Sequence, residues 1–428
     1  MRRASAPHLA LLLLLVAYLA VALWLFHGAT RAAYFDTEDY AALARLPWTS
    51  AAFWSGAKPP GYALFLRAFA GAPDTLVRLQ LAVYLVGFLT LAAGLARRCR
   101  QPWVRVGCCA GVLATSLASG LFYWCKSLST ESLSISLLVL PLGLMLFGAP
   151  SRRWARLAVG AAAALALLLW AAIRDTDAAW LTIAATVAAV AAWPTARRRS
   201  ALVQLAVALM LMTLTALSIR GGDRWRFPLV NVLASRVLPD AARKSRYERA
   251  GMPDNPKVRC FQGRWASDCN SDFSGFEPWL TRSGRTTYLV DLLTHPRRLL
   301  TEPLAHWRGL LCGRRSDEPS SPPLTYYFRA TPPAWQRTLS NVVLADWGWL
   351  SAELALAAAL LALQLRRRRL DGASAPLLLL LATVYPMMVL IWHGDGMEIQ
   401  RHAIVIMVLL RVALCGLVAL AIDRLRAP

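Results

Sequence analysis

A cluster of acidic residues follows the first apolar run of this 428-residue chain. Segment 34–41 contains Asp36, Glu38 and Asp39 a few residues beyond the apolar stretch that ends at Phe26. A carboxylate at a membrane edge can act as a general base or bind a metal ion, since a polar substrate carried by a lipid meets water there. The alternative is a solvated helix start, because the helix dipole favours acids in the first turn.

A lysine stands ahead of two prolines in the same polar segment. Lys58, Pro59 and Pro60 are followed by Gly61 and Tyr62 and then by an apolar stretch. Because prolines fix the backbone, Lys58 is a cation at a defined position that can hold a lipid phosphate. The alternative is a rigid turn before a surface helix, with Lys58 touching only lipid headgroups.

Glu131 and Arg174 stand at the ends of other apolar runs. Glu131, in segment 127–133, can contact a substrate or a metal ion, or it can belong to a capping pattern in which Ser or Thr is followed by Glu. Arg174 has Asp175 and Asp177 beside it. It therefore either forms a local ion pair or helps to line a phosphate site.

Two arginines lie just before or inside the last apolar run. Arg401 follows Glu398 and precedes His402 just before that run, where its guanidinium can bind phosphate oxygens or anchor the helix end. Arg411 lies inside the run. An unpaired charge there is costly, so Arg411 is expected to face the other helices or a groove for a lipid carrier.

The first two motifs together resemble the membrane-embedded glycosyltransferases of the GT-C superfamily, most closely the protein O-mannosyltransferase and lipid A aminoarabinose transferase group. Members of that group carry Asp-x-x-x-Tyr-Ala after their first helix and then Lys-Pro-Pro. Asp36, Tyr40 and Ala41 match the first motif, and the segment from Lys58 matches the second. The resemblance implies that Asp36 is the catalytic base and that Lys58 binds the donor phosphate. The sequence departs from the family's motif at Thr37, where relatives often have a second acid. Glu38 and Asp39 are therefore further candidates for the base.

The resemblance continues more weakly in two further segments. Glu131 stands where the family has Thr-Glu-x-Leu, which implies a contact with substrate or metal. Glu398 and Arg401 look like the family's Glu-x-x-Arg-Tyr, with His402 in place of Tyr. The resemblance covers the first ~135 residues and the closing helices in outline, and segment 220–346 matches nothing in the family.

The function that the resemblance implies is transfer of a sugar, with inversion, from a polyprenyl-phosphate donor to an extracytoplasmic acceptor. Asp36 would deprotonate the acceptor hydroxyl, and Lys58, with Arg174 or Arg401, would stabilise charge on the leaving phosphate. Two alternatives are a transporter or flippase of a lipid-linked molecule and a non-catalytic assembly protein. No Cys or His spacing fits zinc, and the acids are compatible with a divalent metal without indicating one. The sequence identifies neither the sugar nor the acceptor.

Long apolar runs must position these residues. The chain is 57% hydrophobic, more than one soluble core can bury, so the excess is expected to face the lipid bilayer. A spanning helix needs about 20 apolar residues. Ten runs approach that length and predict an all-α polytopic membrane protein, which the resemblance implies is GT-C-like: 9–26, 76–96, 106–124, 133–147, 157–173, 178–193, 201–219, 347–365, 375–392 and 403–422.

Basic residues at the ends of these runs set the predicted orientation. If the N-terminus is cytoplasmic, every cytoplasmic connection is rich in arginine, whereas the short connections near Lys126, Arg174 and Arg401 on the other side hold one basic residue each. This bias predicts an inner-membrane protein with both termini in the cytoplasm. Because much of the net charge of +23 lies in these connections, nucleic acid is not an expected partner. The arginines of the predicted cytoplasmic connections are Arg97, Arg98, Arg100, Arg105, Arg152, Arg153, Arg156, Arg197 to Arg199, Arg366 to Arg369, Arg424 and Arg426.

Two polar segments, 27–75 and 220–346, are too long to be turns and are predicted to lie outside the cytoplasm. The second, which we call the loop domain, is expected to be a mixed domain resting on the membrane surface. The chain then divides into 1–219 with seven helices, 220–346, and 347–428 with three helices. Within the loop domain Cys260 and Cys269 can form a disulfide in an oxidising compartment, with two free thiols as the alternative.

Overall fold

The fold is all-helical in the part of the chain that the structure describes, and no residue there lies in a strand. The structure is a computed structural model and describes residues 6–28, 35–69, 72–148, 151–193, 198–264, 266–312, 332–366, 374–396 and 398–425. Arg197, Arg367 to Arg369 and Arg426, which contributed to the predicted orientation, lie outside these ranges. In chain order the helices are α1 (Ala6–Gly28), α2 (Phe35–Arg45), α3 (Ala51–Trp54), α4 (Pro60–Ala68), α5 (Pro73–Arg98), α6 (Pro102–Leu117), α7 (Ser119–Phe122), α8 (Glu131–Phe147), α9 (Arg153–Ile173), α10 (Asp175–Ala192), α11 (Arg198–Gly221), α12 (Arg226–Val232), α13 (Ala241–Arg249), α14 (Pro256–Cys260), α15 (Arg285–Thr294), α16 (Pro296–Ala305), α17 (Trp307–Leu311), α18 (Ala334–Ser340), α19 (Trp347–Arg366), α20 (Ala375–Gly394) and α21 (Ile399–Leu425).

Seven of the described helices are long and apolar enough to cross a membrane: α1, α5, α9, α11, α19, α20 and α21. An eighth span results if α6 and the bent continuation from Ser119 to Lys126, at 61° to it, are counted together. The remaining predicted runs fall short for visible reasons. Helix α8 has only 17 residues, and α10 begins with Asp175 and Asp177 in its first turn. The chain is therefore a polytopic helical membrane protein whose described helices include seven or eight candidate spans by length and composition, and the ten predicted spans are not confirmed.

Helix α21 is the centre of the bundle. In its most apolar stretch 89% of the residues are buried, whereas the corresponding stretch of α11 is 6% buried and faces outward. Helices α5, α6, α8, α19 and α20 all contact α21 or pack next to it. Two of the arginines of α21, Arg401 in its first turn and Arg411 in its middle, are consequently buried.

Helices α5 and α8 approach each other backbone to backbone. A Cβ added to Gly94 would lie 2.4 Å from the carbonyl oxygen of Gly143, and one added to Gly143 would lie 2.6 Å from the amide nitrogen of Leu91. Small residues allow helices in a membrane to pack this closely. This pair fixes the start of α8, and therefore Glu131, relative to α5.

The C-terminal end of α21 lies at an arginine-rich end of the bundle. The Asp423 carboxylate accepts hydrogen bonds from the backbone amides of Arg100, at 2.8 Å, and Gln101, at 2.7 Å. Nearby, the Arg98 side chain donates to the carbonyl of Leu146 at the end of α8. The opposite end of the bundle, where α8 and α21 begin, contains the predicted site residues.

The first half of the loop domain has its own hydrophobic core. Val230, Leu233, Tyr247, Phe261 and Phe276 are among its buried side chains. A disulfide with an S–S distance of 2.08 Å joins Cys260 to Cys269.

No described residue of the loop domain lies in a strand, so the expectation of a mixed domain is wrong for this part of the chain. Apolar residues there recur at helical spacing, as Tyr288 and Leu292 do in α15, instead of alternating as strands require.

The loop domain packs against the C-terminal end of helix α20. The Trp392 ring stacks on His306 at a centroid distance of 4.2 Å and has the Arg236 guanidinium 3.8 Å from its centroid. The Tyr288 hydroxyl donates to the carbonyl of His393 at 2.7 Å. Further along the chain, Leu310 in α17 packs in the main core of the bundle. The loop domain is thus anchored beside the start of α21.

Candidate functional site

Five charged residues from five separate segments meet at the end of the bundle where α8 and α21 begin. They are Asp36 in the first turn of α2, Lys58 just before α4, Glu131 at the start of α8, Arg174 between α9 and α10, and Arg401 in the first turn of α21. Each of them was a predicted site residue. Ion pairs connect all five into one network, and Glu398 and His402 join it from the start of α21.

The Arg401 guanidinium is the centre of this network. Its Nε donates to Oε1 of Glu131 at 2.5 Å, and its Nη2 donates to Oδ2 of Asp36 at 2.6 Å. Its Nη1 donates to Oε2 of Glu398 at 2.8 Å. Arg401 is only 4% exposed and Glu131 is fully buried. Because burying charges costs desolvation free energy that ion pairs seldom recover fully, such a cluster is a candidate for function rather than for stability.

Arg174 is a second buried cation on the same carboxylate. Its Nη1 lies 3.7 Å from Oε1 of Glu131, and its Nη2 donates to Nδ1 of His402 at 2.8 Å. A backbone break between α9 and α10 places it there, since Arg174 has extended φ and ψ angles of −143° and 143°. The Glu131 carboxylate therefore holds two guanidinium groups side by side.

Lys58 forms the more accessible edge of the network. Its Nζ lies 2.6 Å from Oδ1 of Asp36 and 3.4 Å from Oδ2 of Asp39. Its side chain is 25% exposed, against 5% for the Arg401 side chain. The ring centroid of Tyr40 lies 6.0 Å from the same ammonium group. A ligand entering from solvent would meet Lys58 before it met either arginine.

The chain around Lys58 is held from both sides. A Cβ added to Gly61 would lie 2.5 Å from the carbonyl oxygen of Ala172, so only glycine allows α4 to come this close to the end of α9. On the other side, Arg224 donates to the carbonyl of Lys58 at 3.0 Å and to Oδ1 of Asp175 at 3.0 Å. The sequence did not single out Arg224, because it belongs to a different segment and no motif surrounds it.

Helix α2 is also fixed against its neighbours. The Thr37 hydroxyl donates to the carbonyl of Leu128 at 2.7 Å. Tyr40 packs edge-on against Tyr62 with ring centroids 5.1 Å apart, and the Tyr62 hydroxyl donates to Gln80 at 3.0 Å. Burial raises the pKa of the Tyr40 hydroxyl well above its ordinary value, so it stays protonated. Tyr40 thus lies beneath the site as a packing residue rather than as a source of charge.

The cations around Asp36 determine its protonation. Burial alone would raise the pKa of this carboxyl, but the charges of Arg401 and then Lys58, together with their hydrogen bonds, outweigh burial and lower the pKa from 3.8 to about 2. Both carboxylate oxygens are already engaged by these cations. In this arrangement Asp36 cannot take a proton from a substrate near neutral pH. It holds the two cations in place instead.

Glu398 has an unusual backbone conformation. Its φ angle is +49°, in the left-handed region that residues other than glycine rarely adopt. The Glu398 carboxylate is one of the groups that hold Arg401. Strained backbone of this kind is found preferentially at functional sites, where the surroundings compensate for its cost.

Three acids predicted near the site have other surroundings. Glu38 is exposed and forms no ion pair within the described residues. Asp175 pairs with Arg224, and the Asp177 carboxylate accepts a hydrogen bond from Ser134 at 2.6 Å. Of the two alternatives for Arg174, the local ion pair with Asp175 or Asp177 does not form, because the break after α9 turns Arg174 toward Glu131 and His402.

No three His, Cys, Asp or Glu side chains form a possible metal site within the described residues. Asp36, Glu131 and Glu398 each face the Arg401 guanidinium, whose positive charge occupies the space between them.

The three cations of the network are groups that bind anions, and carboxylates occupy them in this structure. Lys58, Arg174 and Arg401 present three cations to one small region, and carboxylates hold them in position. Guanidinium and ammonium groups placed in this way bind phosphate oxygens through charge-assisted hydrogen bonds.

Comparison of the chain with models of protein families, with curated proteins and with solved structures finds no match.

Proposed function

We propose that this chain is a membrane-embedded glycosyltransferase that takes a sugar from a polyprenyl-phosphate donor and places it on an acceptor outside the cytoplasm. The observation that carries the proposal is the network in which Lys58 and Arg401 both hold Asp36. It brings a carboxylate and the cations for a phosphate to one place at the end of a membrane bundle. Transfer from a lipid phosphate needs these two kinds of group together.

The donor phosphate would exchange with the carboxylates that now hold the cations. A phosphate oxygen at Lys58, followed by contacts to Arg401 and Arg174, would replace some of the ion pairs of Asp36 and Glu131. Lys58, the most exposed of the three cations, is the group a donor would reach first. In a site of low dielectric, these cations would stabilise the charge that grows on the leaving phosphate.

This exchange would also make Asp36 a base. The pKa of its carboxyl is about 2 because Arg401 and Lys58 outweigh its burial, so turning these cations toward a phosphate raises that pKa. Asp36 would then accept the proton of the acceptor hydroxyl. The acceptor oxygen forms a bond to the anomeric carbon, the bond from that carbon to the phosphate oxygen breaks, and its electron pair leaves with the phosphate. A single displacement of this kind inverts the anomeric carbon.

The proposed orientation places the site on the extracytoplasmic side of the inner membrane, with both termini in the cytoplasm. The arginine-rich end of the bundle then faces the cytoplasm, as the positive-inside rule requires. On this view all ten apolar runs cross or enter the membrane, with α8 and α10 buried among longer helices. The loop domain, anchored by Trp392 and His393 beside the start of α21, would cover the site or recognise the acceptor.

Cells that lack this protein provide the test of the function. We expect them to accumulate a polyprenyl-phosphate sugar together with an acceptor that lacks that sugar, both measured by mass spectrometry of lipid and envelope extracts. Returning the wild-type gene should restore both to normal levels, whereas the Arg401→Gln variant, expressed at the same level, should not. Unchanged donor and acceptor levels in the deletion strain would contradict the proposal.

The deletion strain also distinguishes sugar transfer from transport of a lipid-linked molecule. Loss of a flippase would leave the lipid-linked molecule on the cytoplasmic leaflet, whereas loss of a transferase leaves the donor on the opposite leaflet. Accumulation confined to the cytoplasmic leaflet would favour transport of a lipid-linked molecule over sugar transfer.

A further inference from the structure

A groove with a volume of about 780 Å³ opens between α1 and α5. Its apolar wall includes Leu23 from α1 and Leu81 and Leu85 from α5, and the exposed Ala82 leaves room between them. From Arg78 to Leu85 the wall extends roughly 10 Å along α5, given a rise of about 1.5 Å per residue. Both helices are candidate membrane spans, so this wall lies at a depth where acyl chains are available.

Charged residues lie only at one end of the groove. Lys126, Arg78 and His27 line it there together with Asp74. The Lys126 ammonium lies 4.6 Å from the ring centroid of Phe26, which keeps it over the groove. Counting Lys126, Arg78 and Asp74, the net charge at this end is +1, with His27 neutral. An apolar wall that ends in a net positive charge matches a lipid with an anionic headgroup.

The groove is separate from the ion-pair network. Phe26 and Val77, which line the groove, also pack in an apolar layer with Leu128 and with Phe65 of α4. Phe65 belongs to the helix that follows Lys58, so the layer lies between the groove and the network. A molecule in the groove would press on the layer that supports α4 without touching Asp36 or Arg401.

We infer that this groove binds one anionic phospholipid, with an acyl chain along Leu23, Leu81 and Leu85 and its phosphodiester at Lys126 and Arg78. The single negative charge of a phosphodiester balances the +1 at the charged end. A polyprenyl phosphate monoester carries more charge and is less well balanced there, whereas a polyprenyl-phosphate sugar is also a phosphodiester and is therefore tested as a competing ligand. This inference goes beyond the proposed function and does not depend on it.

Thermal unfolding of the purified, delipidated full chain in detergent tests the inference. Phosphatidylglycerol should raise the unfolding temperature by several degrees at low lipid-to-protein ratios. Phosphatidylcholine with the same acyl chains, polyprenyl phosphate, a polyprenyl-phosphate sugar and inorganic phosphate should each have a much smaller effect. Native mass spectrometry should show one phosphatidylglycerol retained per chain. Equal effects of phosphatidylglycerol and phosphatidylcholine, or stronger binding of polyprenyl phosphate, would overturn the inference.

Variants that remove charge test where the lipid headgroup binds. The double variant Arg78→Gln and Lys126→Gln should weaken phosphatidylglycerol binding by about tenfold or more, as expected from the loss of charge-assisted hydrogen bonds. Arg220→Gln, which removes an exposed arginine from the last turn of α11, should leave binding unchanged.

A second pair of variants fills the groove without altering charge. Ala82→Trp should prevent binding, because the new side chain occupies the apolar wall. Val86→Trp, at an exposed position on the same helix outside the groove lining, is its matched control and should bind normally. Because both positions are exposed, neither change disturbs the helix core. Equal binding by the two variants would place the lipid elsewhere and contradict the inference.

Discussion

At the scale of single residues, the proposed function makes Asp36 and the donor phosphate compete for the same cations. Lys58 and Arg401 hold one oxygen each of the Asp36 carboxylate. A base engaged in this way is inactive until another anion takes its partners. On the proposed function, donor binding and activation of the base are therefore a single event, which would protect the site from reaction without a donor.

The charge of Lys58 should matter for the donor rather than for folding. We expect Lys58→Ala to raise the apparent KM for the donor, or to lower kcat/KM, by about tenfold or more, because one charge-assisted hydrogen bond to phosphate is lost. Lys58→Arg should recover part of the loss. Steady-state transfer kinetics in membranes provide the measurement. The matched control is Lys257→Ala, which removes an exposed lysine that also pairs with an aspartate, Asp272, at 3.0 Å. Unchanged kinetics for Lys58→Ala would exclude its phosphate role.

The ion pairs of Asp36 should also appear in the pH dependence of stability. Since the folded-state pKa, about 2, lies below the ordinary 3.8, ionised Asp36 stabilises the folded protein above pH 4, and this contribution is lost as the pH falls toward 2. Wild type should therefore unfold at a higher temperature than Asp36→Asn at about pH 7, and the difference should shrink by about pH 3. Thermal unfolding in detergent at several pH values measures this. Glu38→Gln, at an exposed neighbouring position, should show little difference at any pH. A difference for Asp36→Asn that grows on acidification would contradict the assigned ion pairs.

At the scale of helices, two buried arginines of α21 have different roles. Arg401 begins the helix within the network, whereas Arg411 lies deeper, 3% exposed, with its Nη1 2.6 Å from Oε2 of Glu353 on α19. Their separation of ten positions corresponds to about 15 Å of helix. The sequence predicted that Arg411 would face the bundle or a groove because a charge in lipid is costly. Its partner could not be predicted, because the rotation of α19 about its axis depends on packing.

We expect the Arg411 pair to serve helix packing rather than transfer. Glu353→Leu leaves a buried guanidinium without this partner and should destabilise the protein by about 3 kcal/mol. The double variant Arg411→Leu and Glu353→Leu should regain most of that stability and keep transfer activity. Thermal unfolding and a transfer assay on the same preparations measure both effects. A double variant that is folded yet inactive would give the pair a functional role and strengthen the transport alternative.

Helix starts explain why the network forms. Asp36, Glu131 and Arg401 all lie in first turns, and Lys58 directly precedes a helix that begins with proline. The sequence indicated these residues individually because each stands where an apolar or helical segment begins. The sequence predicted a connection near Arg174 but left open whether Arg174 would pair locally or line a phosphate site, and the backbone break after α9 turns Arg174 into the network.

At the scale of the whole molecule, the local motifs could be predicted from the sequence, but their proximity in the fold could not. Asp36 and Lys58 are 22 positions apart in one segment, and their spacing already suggested a shared role. Asp36 and Arg401 are 365 positions apart, and only the packing of α21 at the centre of the bundle brings them together. Membrane character followed directly from composition. The number of spans did not, because the bend near Ala118 and the short α8 depend on how helices pack rather than on hydropathy.

Transfer by the purified, full-length protein in proteoliposomes tests the central claim most directly. The vesicles would contain polyprenyl-phosphate donors with a radiolabelled sugar, tried one sugar at a time, and an envelope extract from the deletion strain would supply the acceptor. We predict that wild type moves label from the lipid to the acceptor fraction. Asp36→Asn, folded by thermal unfolding, should lose about a hundredfold or more of this rate, while Glu38→Gln stays near wild type. Near-normal transfer by Asp36→Asn would show that another group is the base, and no transfer by wild type from any donor would contradict the proposed function itself.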